Sequence, residues 1–136
     1  MSVIDPASAE RLSKTPLAWL TTVSAGGQPQ SSYVWFHWDG ENIVLLSKPN
    51  AGKVHNLGIH PKVSFHLDGD GSEGSGVLTI DATAEVLGDR LPDERKAAYL
   101  AKYDHLIRAG LKSTPEEVTA EYSVAIEVVP KRLRAW

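Results

Sequence analysis

The sequence predicts a mostly β protein, a small and mainly antiparallel barrel with a few helices. Three observations lead to this fold class. Apolar and polar residues alternate along several short segments, as in strands that bury one face. Glycine clusters at 25–29 and 68–76 separate such segments and are typical of connections between strands. Helical spacing of three to four residues replaces the alternation mainly after Leu91.

The composition indicates one ordinary globular domain covering residues 1–136, with 42% hydrophobic and 23% charged residues. A net charge of −3 argues against nucleic acid as the main partner, because phosphate binding needs a cationic surface. The absence of cysteine excludes disulfides, thiolate zinc sites and cysteine nucleophiles. The polar N-terminus and the short apolar runs predict a cytoplasmic protein without a membrane span.

Three strands are predicted in the first third of the chain. Residues 17–23 form a compact apolar run, and residues 31–38 are rich in aromatic and β-branched side chains. Asp39-Gly40 then separates the second segment from residues 42–47, which is a strong hairpin signal. We expect these three strands to form a meander.

A very short helix is predicted next, within the segment KPNAGKVHNLGIHPK at 48–62. Asn50 is a plausible N-cap, and Pro61 should end the helix because proline cannot continue it. Val54 and Leu57 would then share the face that packs on the barrel.

Alternation predicts two further strands, at 62–68 and 78–86. A helix should follow, with Leu100, Tyr103 and Leu106 or Ile107 on one face. A second, brief helix should begin at Thr114, because Thr-Pro-Glu-Glu has the features of a capping box.

A further strand is predicted at 122–129, where the alternation returns, and Pro130 should separate it from a short final strand that ends in Trp136. The predicted order is therefore β-β-β-α-β-β-α-α-β-β.

Gly52-Lys53 is the candidate binding motif. It fails the Walker pattern, because Val54 follows the lysine where a serine or threonine is required. If Asn50 caps the helix, Gly52 and Lys53 occupy its second and third positions, whose amide hydrogens have no intrahelical partner. These amides, the positive end of the helix dipole and the ammonium group favour an anion. The alternative interpretation is a solvated lysine on a surface helix.

No metal site or catalytic side chain is predicted. Asp68, Asp70 and Ser72 alternate as in a calcium loop, but Glu73 and Thr79 stand where an EF-hand needs glycine and glutamate. The five histidines are scattered and show no ligand spacing. A nucleophile elbow of the G-x-S-x-G type is also absent from the sequence.

Eight tryptophan and tyrosine residues are many for so short a chain and usually belong to a core or an interface. Trp35 and Phe36 are adjacent, so on a strand one would face inward and the other outward. An outward aromatic ring beside an anion site suits a planar ligand or a partner subunit.

Residues 15–65 resemble the pyridoxamine-phosphate-oxidase-like flavin-binding split barrels. The resemblance rests on the G-x-P turn at Gly27-Gln28-Pro29 and on the K-x-x-x-L-x-x-x-P spacing of Lys53, Leu57 and Pro61. It implies a six- to seven-stranded antiparallel split β-barrel, the FMN-binding split barrel. Residues 102–136 resemble the actinobacterial branch assigned to the deazaflavin coenzyme F420, and the whole resemblance spans residues 12–136.

The resemblance implies a cofactor site whose phosphate group is held by Lys53 and Lys48 and by the amides near Gly52. The backbone of the second and third strands would line the tricyclic ring. The full set of implied cofactor-binding residues is Ser32, Val34, Trp35, Phe36, Ser47, Lys48, Asn50, Ala51, Gly52 and Lys53. Ser32 and Gly52 stand where pyridoxamine phosphate oxidases carry arginines, which makes vitamin B6 oxidation a poor expectation.

The activity implied is hydride transfer from C5 of reduced F420 to an unsaturated or quinone-like small molecule. The resemblance also implies a homodimer with the cofactor at the subunit interface. Two alternatives remain open: an FMN-binding oxidoreductase of the same fold, and a non-catalytic carrier of flavin or haem.

Overall fold

The computed structural model describes residues 3–136, which form four α-helices and seven β-strands. In chain order these elements are α1 (Pro6–Lys14), β1 (Ala18–Val23), β2 (Pro29–Val34), β3 (His37–Trp38), β4 (Ile43–Ser47), α2 (Gly52–Leu57), β5 (Lys62–His66), β6 (Leu78–Gly88), α3 (Asp93–His105), α4 (Pro115–Glu121) and β7 (Val124–Ala135). A π-helical turn at Leu106–Gly110 continues α3.

All seven strands belong to one antiparallel sheet in the order β2-β1-β5-β6-β7-β4-β3. The two edge strands, β2 and β3, are consecutive in the chain and are separated only by Trp35 and Phe36. The sheet therefore curls until its edges approach each other, which is a split barrel. The predicted fold class and the upper strand count are confirmed.

The predicted meander is wrong. β1 and β2 pair as expected, and Gly40 turns the β3–β4 hairpin with a φ of 95°. The hairpin, however, lies at the opposite edge of the sheet, where β4 pairs with β7. Alternation and turn residues specify a hairpin, but they do not specify the edge on which it docks. That edge is fixed by β7, whose Val124–Val128 segment pairs with β4 while the whole strand pairs with β6.

The barrel interior holds the main core, in which Leu20, Phe36, Phe65, Ile80 and Ile126 are fully buried. A second hydrophobic cluster lies between α3 and the outer face of β4 and β7. Helix α3 contributes Tyr99 and Tyr103 to it, and the π-helical turn contributes Ile107, at spacings of four residues. The predicted face is confirmed with Ile107 as its last member: Leu100 packs against the cluster, whereas Leu106 is 42% exposed. Tyr99 was not included in the prediction.

Helix α1 was not expected from the sequence. Asp5 caps it by accepting the amide hydrogen of Ser8 at 2.8 Å, and Pro6 occupies the first helical position. An aspartate-proline pair before Ala-Ser-Ala-Glu is a helix start signal that could have been used.

The predicted break at Pro130 is also wrong, because β7 continues through it to Ala135. Pro130 lies opposite Ala82 at a register shift of β6, where the ladder is already irregular. A bulge is one of the few positions at which a sheet tolerates a residue without an amide hydrogen.

Helix α4 begins as predicted. The Thr114 hydroxyl oxygen accepts the amide hydrogen of Glu117 at 3.2 Å, and Pro115 occupies the first turn. This cap fixes where α4 starts and thereby the position of Val118 and Tyr122, which matter below.

Candidate functional site: an aromatic cleft with one lysine

Helix α2 begins one residue later than predicted. Ala51 is the N-cap and has extended dihedral angles of −66° and 145°, while the side chain of Asn50 makes no capping bond. The amide of Ala51 donates to the Lys48 carbonyl at 3.2 Å, and this turn delays the helix start. Gly52 and Lys53 are therefore the first and second helical positions. The helix ends at Leu57, with Gly58 as C-cap, before Pro61 is reached.

Helix α2 is held on the barrel by one buried polar side chain. Asn56 Nδ2 donates to Thr22 Oγ1 at 3.0 Å and to Gln30 Oε1 at 2.9 Å. Leu57 adds a buried apolar contact beside it. Because these anchors come from β1 and β2, they place Lys53 next to the end of β2.

The amide hydrogens of Gly52 and Lys53 have no protein acceptor within residues 3–136. This is expected for the first positions of a helix. Six residues give α2 fewer than two turns, so its dipole is small. Any preference for an anion here must therefore come mainly from the lysine side chain.

Lys53 is half-buried and lines a cleft with a volume of about 260 Å³. Within the described part of the chain, its ammonium group has neither a carboxylate nor another hydrogen-bond partner. Removal from water lowers the pKa of Lys53, because nothing compensates for the lost hydration. A half-buried cation without a counter-ion is a site that an anionic group would complete. The alternative of a fully solvated surface lysine does not describe this side chain.

The rest of the cleft is aromatic or aliphatic, and its walls come from β2, β4, α3 and α4. The residues that line it are Leu17, Tyr33, Val34, Trp35, Leu46, Lys53, Tyr99, Leu111, Val118 and Tyr122. Lys53 is the only charged member of this set. Aromatic and aliphatic walls with a few polar groups and one charged anchor are typical of small-molecule sites, and flat aromatic walls suit a planar ring.

The aromatic walls are fixed by their neighbours. Trp35 stacks on Tyr103 with ring centroids 4.4 Å apart and an interplanar angle of 5°. At the rim, Tyr33 packs on Trp19 at 4.6 Å, and its hydroxyl donates to Asp68 Oδ2 at 2.6 Å. This hydrogen bond raises the pKa of Tyr33, so the hydroxyl keeps its proton at neutral pH.

Nearly the whole chain matches one known protein family. Residues 4–136 match the family described as pyridoxamine 5'-phosphate oxidase. The chain belongs to the pyridoxamine 5'-phosphate oxidase family. This family includes flavin-binding oxidoreductases, and the resemblance to its split barrels found in the sequence is confirmed at the level of the family.

Solved structures with the same fold support the architecture. The conserved hypothetical protein Rv2991 from Mycobacterium tuberculosis is 24% identical, with a TM-score of 0.74 over 99% of this chain and 86% of that one. An F420 reductase is 24% identical, with a TM-score of 0.68 over 92% and 94% of the two chains. HutZ, a haem storage protein from Vibrio cholerae, is 20% identical, with a TM-score of 0.75 over 99% and 95%. A search of curated proteins gives no match.

The structure brings only some of the family-implied residues to the cleft. Val34, Trp35 and Lys53 line it. Phe36 is fully buried in the barrel core, and its backbone amide and carbonyl are already bound by side chains of α3. Trp35 lies on the other side, half-buried against Tyr103 of the outer cluster, so the expected inward and outward pair is confirmed.

The remaining implied residues do not line the cleft. Lys48 pairs with Glu121 at 3.1 Å, with both side chains more than half exposed. Ser47 is buried and donates its hydroxyl hydrogen to the Lys48 carbonyl at 3.0 Å. Ser32 lies on β2 opposite Leu20. Asn50, Ala51 and Gly52 form the turn and first helical residue before Lys53.

The sequence did not predict the cleft wall that is formed by β4, α3 and the end of α4. Leu46, Tyr99, Val118 and Tyr122 come from three separate elements and meet only in the folded chain. The aromatic surplus was a signal for this wall, but nothing in the spacing of the tyrosines assigns them to one surface.

The described residues contain neither a cluster of metal ligands nor a membrane-spanning helix. Among residues 3–136, no group of three or more histidine, aspartate or glutamate side chains is arranged to hold a metal ion. The same residues include no helix with the length and apolar character needed to cross a membrane.

Proposed function

We propose that this protein is a reductase that uses reduced F420 to transfer a hydride to an unsaturated or quinone-like small molecule. The observation that carries the proposal is Lys53, a half-buried cation without a counter-ion at the mouth of an aromatic cleft. A planar ring that carries a phosphate group matches both features at once, because the ring fills the walls and the phosphate neutralises the lysine.

Lys53 binds the cofactor phosphate in this proposal, assisted by the free amide hydrogens of Gly52 and Lys53. Val34 and Trp35 provide the wall on which the ring lies. Lys48 contributes at longer range from the end of β4, since its ammonium group is already paired with Glu121.

F420 is preferred to FMN for two reasons. The C-terminal segment resembles the branch assigned to F420, and an F420 reductase is among the proteins of the same fold. Ser32 and Gly52 also replace two arginines of the pyridoxamine phosphate oxidases, so the phosphate site has fewer cations than tight FMN binding would use.

The chain's own contribution is binding and orientation. None of the residues that line the cleft is a histidine, aspartate, glutamate or serine, so the walls provide no general base or nucleophile of those types. When bound, reduced F420 supplies the hydride, and the protein places it against the acceptor in a cleft of low polarity. The proton that completes reduction then comes from solvent.

We also propose that the chain acts as a homodimer with the cofactor at the interface. The cleft volume of about 260 Å³ lies below the roughly 300–1,000 Å³ of sites that enclose a small molecule. Its rim carries three large exposed side chains: Tyr33 at 47%, Leu111 at 57% and Tyr122 at 37%. A second copy packed on this rim would cover these side chains and close the site.

Titration of the purified protein with F420 and, separately, with FMN tests the proposal. We expect saturable quenching of F420 fluorescence and much weaker binding of FMN. Turnover of reduced F420 with a panel of quinones and enones should follow. Yellow protein that retains FMN would instead identify a flavin oxidoreductase, and binding without turnover of any acceptor would identify a carrier.

A further inference from the structure

The two residues that join the edge strands of the barrel, Trp35 and Phe36, form what we call the 35–36 link. They lie outside every strand, so the sheet does not satisfy their backbone polar groups. Side chains of α3 replace the missing strand partner. The Phe36 amide donates to the Tyr103 hydroxyl at 2.7 Å, and Lys102 Nζ donates to the Phe36 carbonyl at 2.8 Å.

The Tyr103 hydroxyl carries a single hydrogen, which can serve only one acceptor. The Pro16 carbonyl lies 2.6 Å away and the Phe36 carbonyl 2.9 Å away. The shorter contact assigns the hydroxyl hydrogen to the Pro16 carbonyl, while Lys102 donates to the Phe36 carbonyl. One side chain thus binds two backbone segments, each next to a residue that lines the cleft: Leu17 after Pro16, and Trp35 before Phe36.

The Tyr103 ring makes the third contact. It lies parallel to the indole of Trp35, with centroids 4.4 Å apart. Tyr103 is only 1% exposed, so it does not itself face the cleft opening. Burial raises the pKa of Tyr103, which keeps the hydroxyl protonated and able to donate.

We propose that Tyr103 is a positioning residue for the cofactor ring: it fixes Trp35 and the segment Pro16-Leu17 before β1 at the separation that a planar ring requires. This inference rests on the proposed function, because it assigns Trp35 to the wall on which the ring lies. Without the hydroxyl, the 35–36 link would lose its bond to Tyr103, and the Pro16 carbonyl would lose its bond as well. The two walls would then be free to shift independently, and a site held less rigidly binds its ligand less well.

The test is Tyr103→Phe, which keeps the ring and its stacking but deletes the hydroxyl. The probe is F420 or FMN, whichever binds the wild-type protein more tightly. We expect the dissociation constant to rise by about tenfold, the order expected when hydrogen bonds that pre-organise a site are lost. We also expect an altered induced circular dichroism band of the cofactor at saturation, because that band reports the orientation of the ring.

Ile107→Val is the matched control, since Ile107 lies one turn along in the same buried face and its side chain has no group that could hydrogen-bond the link. It should lower the melting temperature and leave the dichroism band unchanged. A wild-type dissociation constant and band in Tyr103→Phe would overturn the inference while leaving the proposed function intact. If wild-type protein binds neither cofactor, the proposed function and this inference both fail.

Lys102→Met keeps the test decisive if Tyr103→Phe does not fold. It removes the donor to the Phe36 carbonyl from a half-buried position, and Tyr103 is left in place. We expect a smaller rise in the dissociation constant and a change of the same sign in the dichroism band. An unchanged dissociation constant and band would also support the inference, because Tyr103 alone then holds the link. A rise as large as the tenfold expected for Tyr103→Phe would show that Lys102 rather than Tyr103 holds the link, and would overturn the inference.

Discussion

Within residues 3–136, three lysines are half-buried and have no carboxylate partner: Lys53, Lys96 and Lys102. Lys53 and Lys102 serve different purposes. Lys53 faces the cleft, where burial alone lowers its pKa. Lys102 donates to the Phe36 carbonyl and lies 3.9 Å from the centroid of the Phe36 ring. An internal carbonyl and an aromatic face satisfy Lys102, whereas Lys53 is left for a ligand.

Lys53→Ala should weaken cofactor binding by about 1.5–3 kcal/mol, the range for a hydrogen bond to a charged group. The fold should persist, because removing an uncompensated half-buried cation relieves a desolvation cost. Isothermal titration with F420 measures the first effect and thermal unfolding the second. Lys14→Ala is the control, since Lys14 pairs with Glu10 on α1 and does not line the cleft. Wild-type affinity in Lys53→Ala would show that the phosphate binds elsewhere.

Lys102 should make stability depend on pH in a defined window. Burial lowers its pKa from 10.5 to about 8 in the folded protein. Between these values the unfolded chain binds more protons than the folded one, so the free energy of unfolding contributed by this group rises with pH. Below pH 8 both states are protonated and the contribution no longer changes.

Chemical denaturation of the wild-type protein and Lys102→Met from pH 7 to 10.5 measures this contribution. The difference between the two proteins cancels the other titrating groups, including the tyrosines whose pKa values are raised. We expect the stability of the wild type relative to the variant to increase from pH 8 upward. A flat difference would mean that the carbonyl and the Phe36 ring hold the lysine pKa near its usual value.

At the residue scale, the sequence could identify Lys53 but not its surroundings. Its place after Gly52 and before Leu57 and Pro61 is a local pattern, and local patterns can be read from one chain. The sequence does not show that Lys48 has a carboxylate partner and Lys53 has none. That difference depends on Glu121, which is remote in sequence and pairs with Lys48.

At the element scale, α4 matters because it carries Val118 and leads into Tyr122, which form one wall of the cleft. Its start depends on the Thr114 cap. The cap is local, yet its effect reaches a ligand site formed by several elements.

Thr114→Ala should therefore lower the free energy of unfolding by about 1 kcal/mol, the usual effect of losing an N-cap side chain. Because the first turn of α4 would fray, cofactor affinity should also fall, though by less than in Lys53→Ala. Thr114→Ser should restore both properties, since serine caps as well as threonine. Loss of stability with unchanged affinity would show that α4 is not a wall of the binding site.

Elements with a local cause were predictable from the sequence. The β3–β4 hairpin has its turn at Asp39-Gly40, and α4 has its cap and first-turn proline. Elements that depend on tertiary context were not predictable. Strand β7, for example, continues through Pro130 because β6 changes register there. The start of α2 at Gly52 was missed although its cause, the turn from Lys48 to Ala51, is local.

At the scale of the whole molecule, curling brings the two edges of the sheet to either side of the 35–36 link. The cleft lies beside this link. Here strand pairing is interrupted, and side chains of α3 bind the backbone amide and carbonyl of Phe36 instead. Alternation in the sequence predicts a barrel, but it does not give the strand order, and the cleft is a consequence of that order.

The exposed rim predicts a dimer with about twice the 14.8 kDa mass of the chain in sedimentation experiments. Leu111→Glu should weaken both dimerisation and cofactor binding, because it places a charge on the rim of the cleft, where Leu111 is 57% exposed. Ile59→Glu is the matched control, since Ile59 is 45% exposed and does not line the cleft. A monomer that binds cofactor with full affinity would refute the interface.

The central claim is that the lysine of the aromatic cleft binds the phosphate of a planar cofactor. A crystal structure of the protein with bound F420 tests it most directly. We predict a phosphate oxygen within about 4 Å of Lys53 Nζ, the distance of an ion pair, and the ring against Val34 and Trp35. A phosphate held by other residues, with the Lys53 ammonium group still unpaired, would contradict the account.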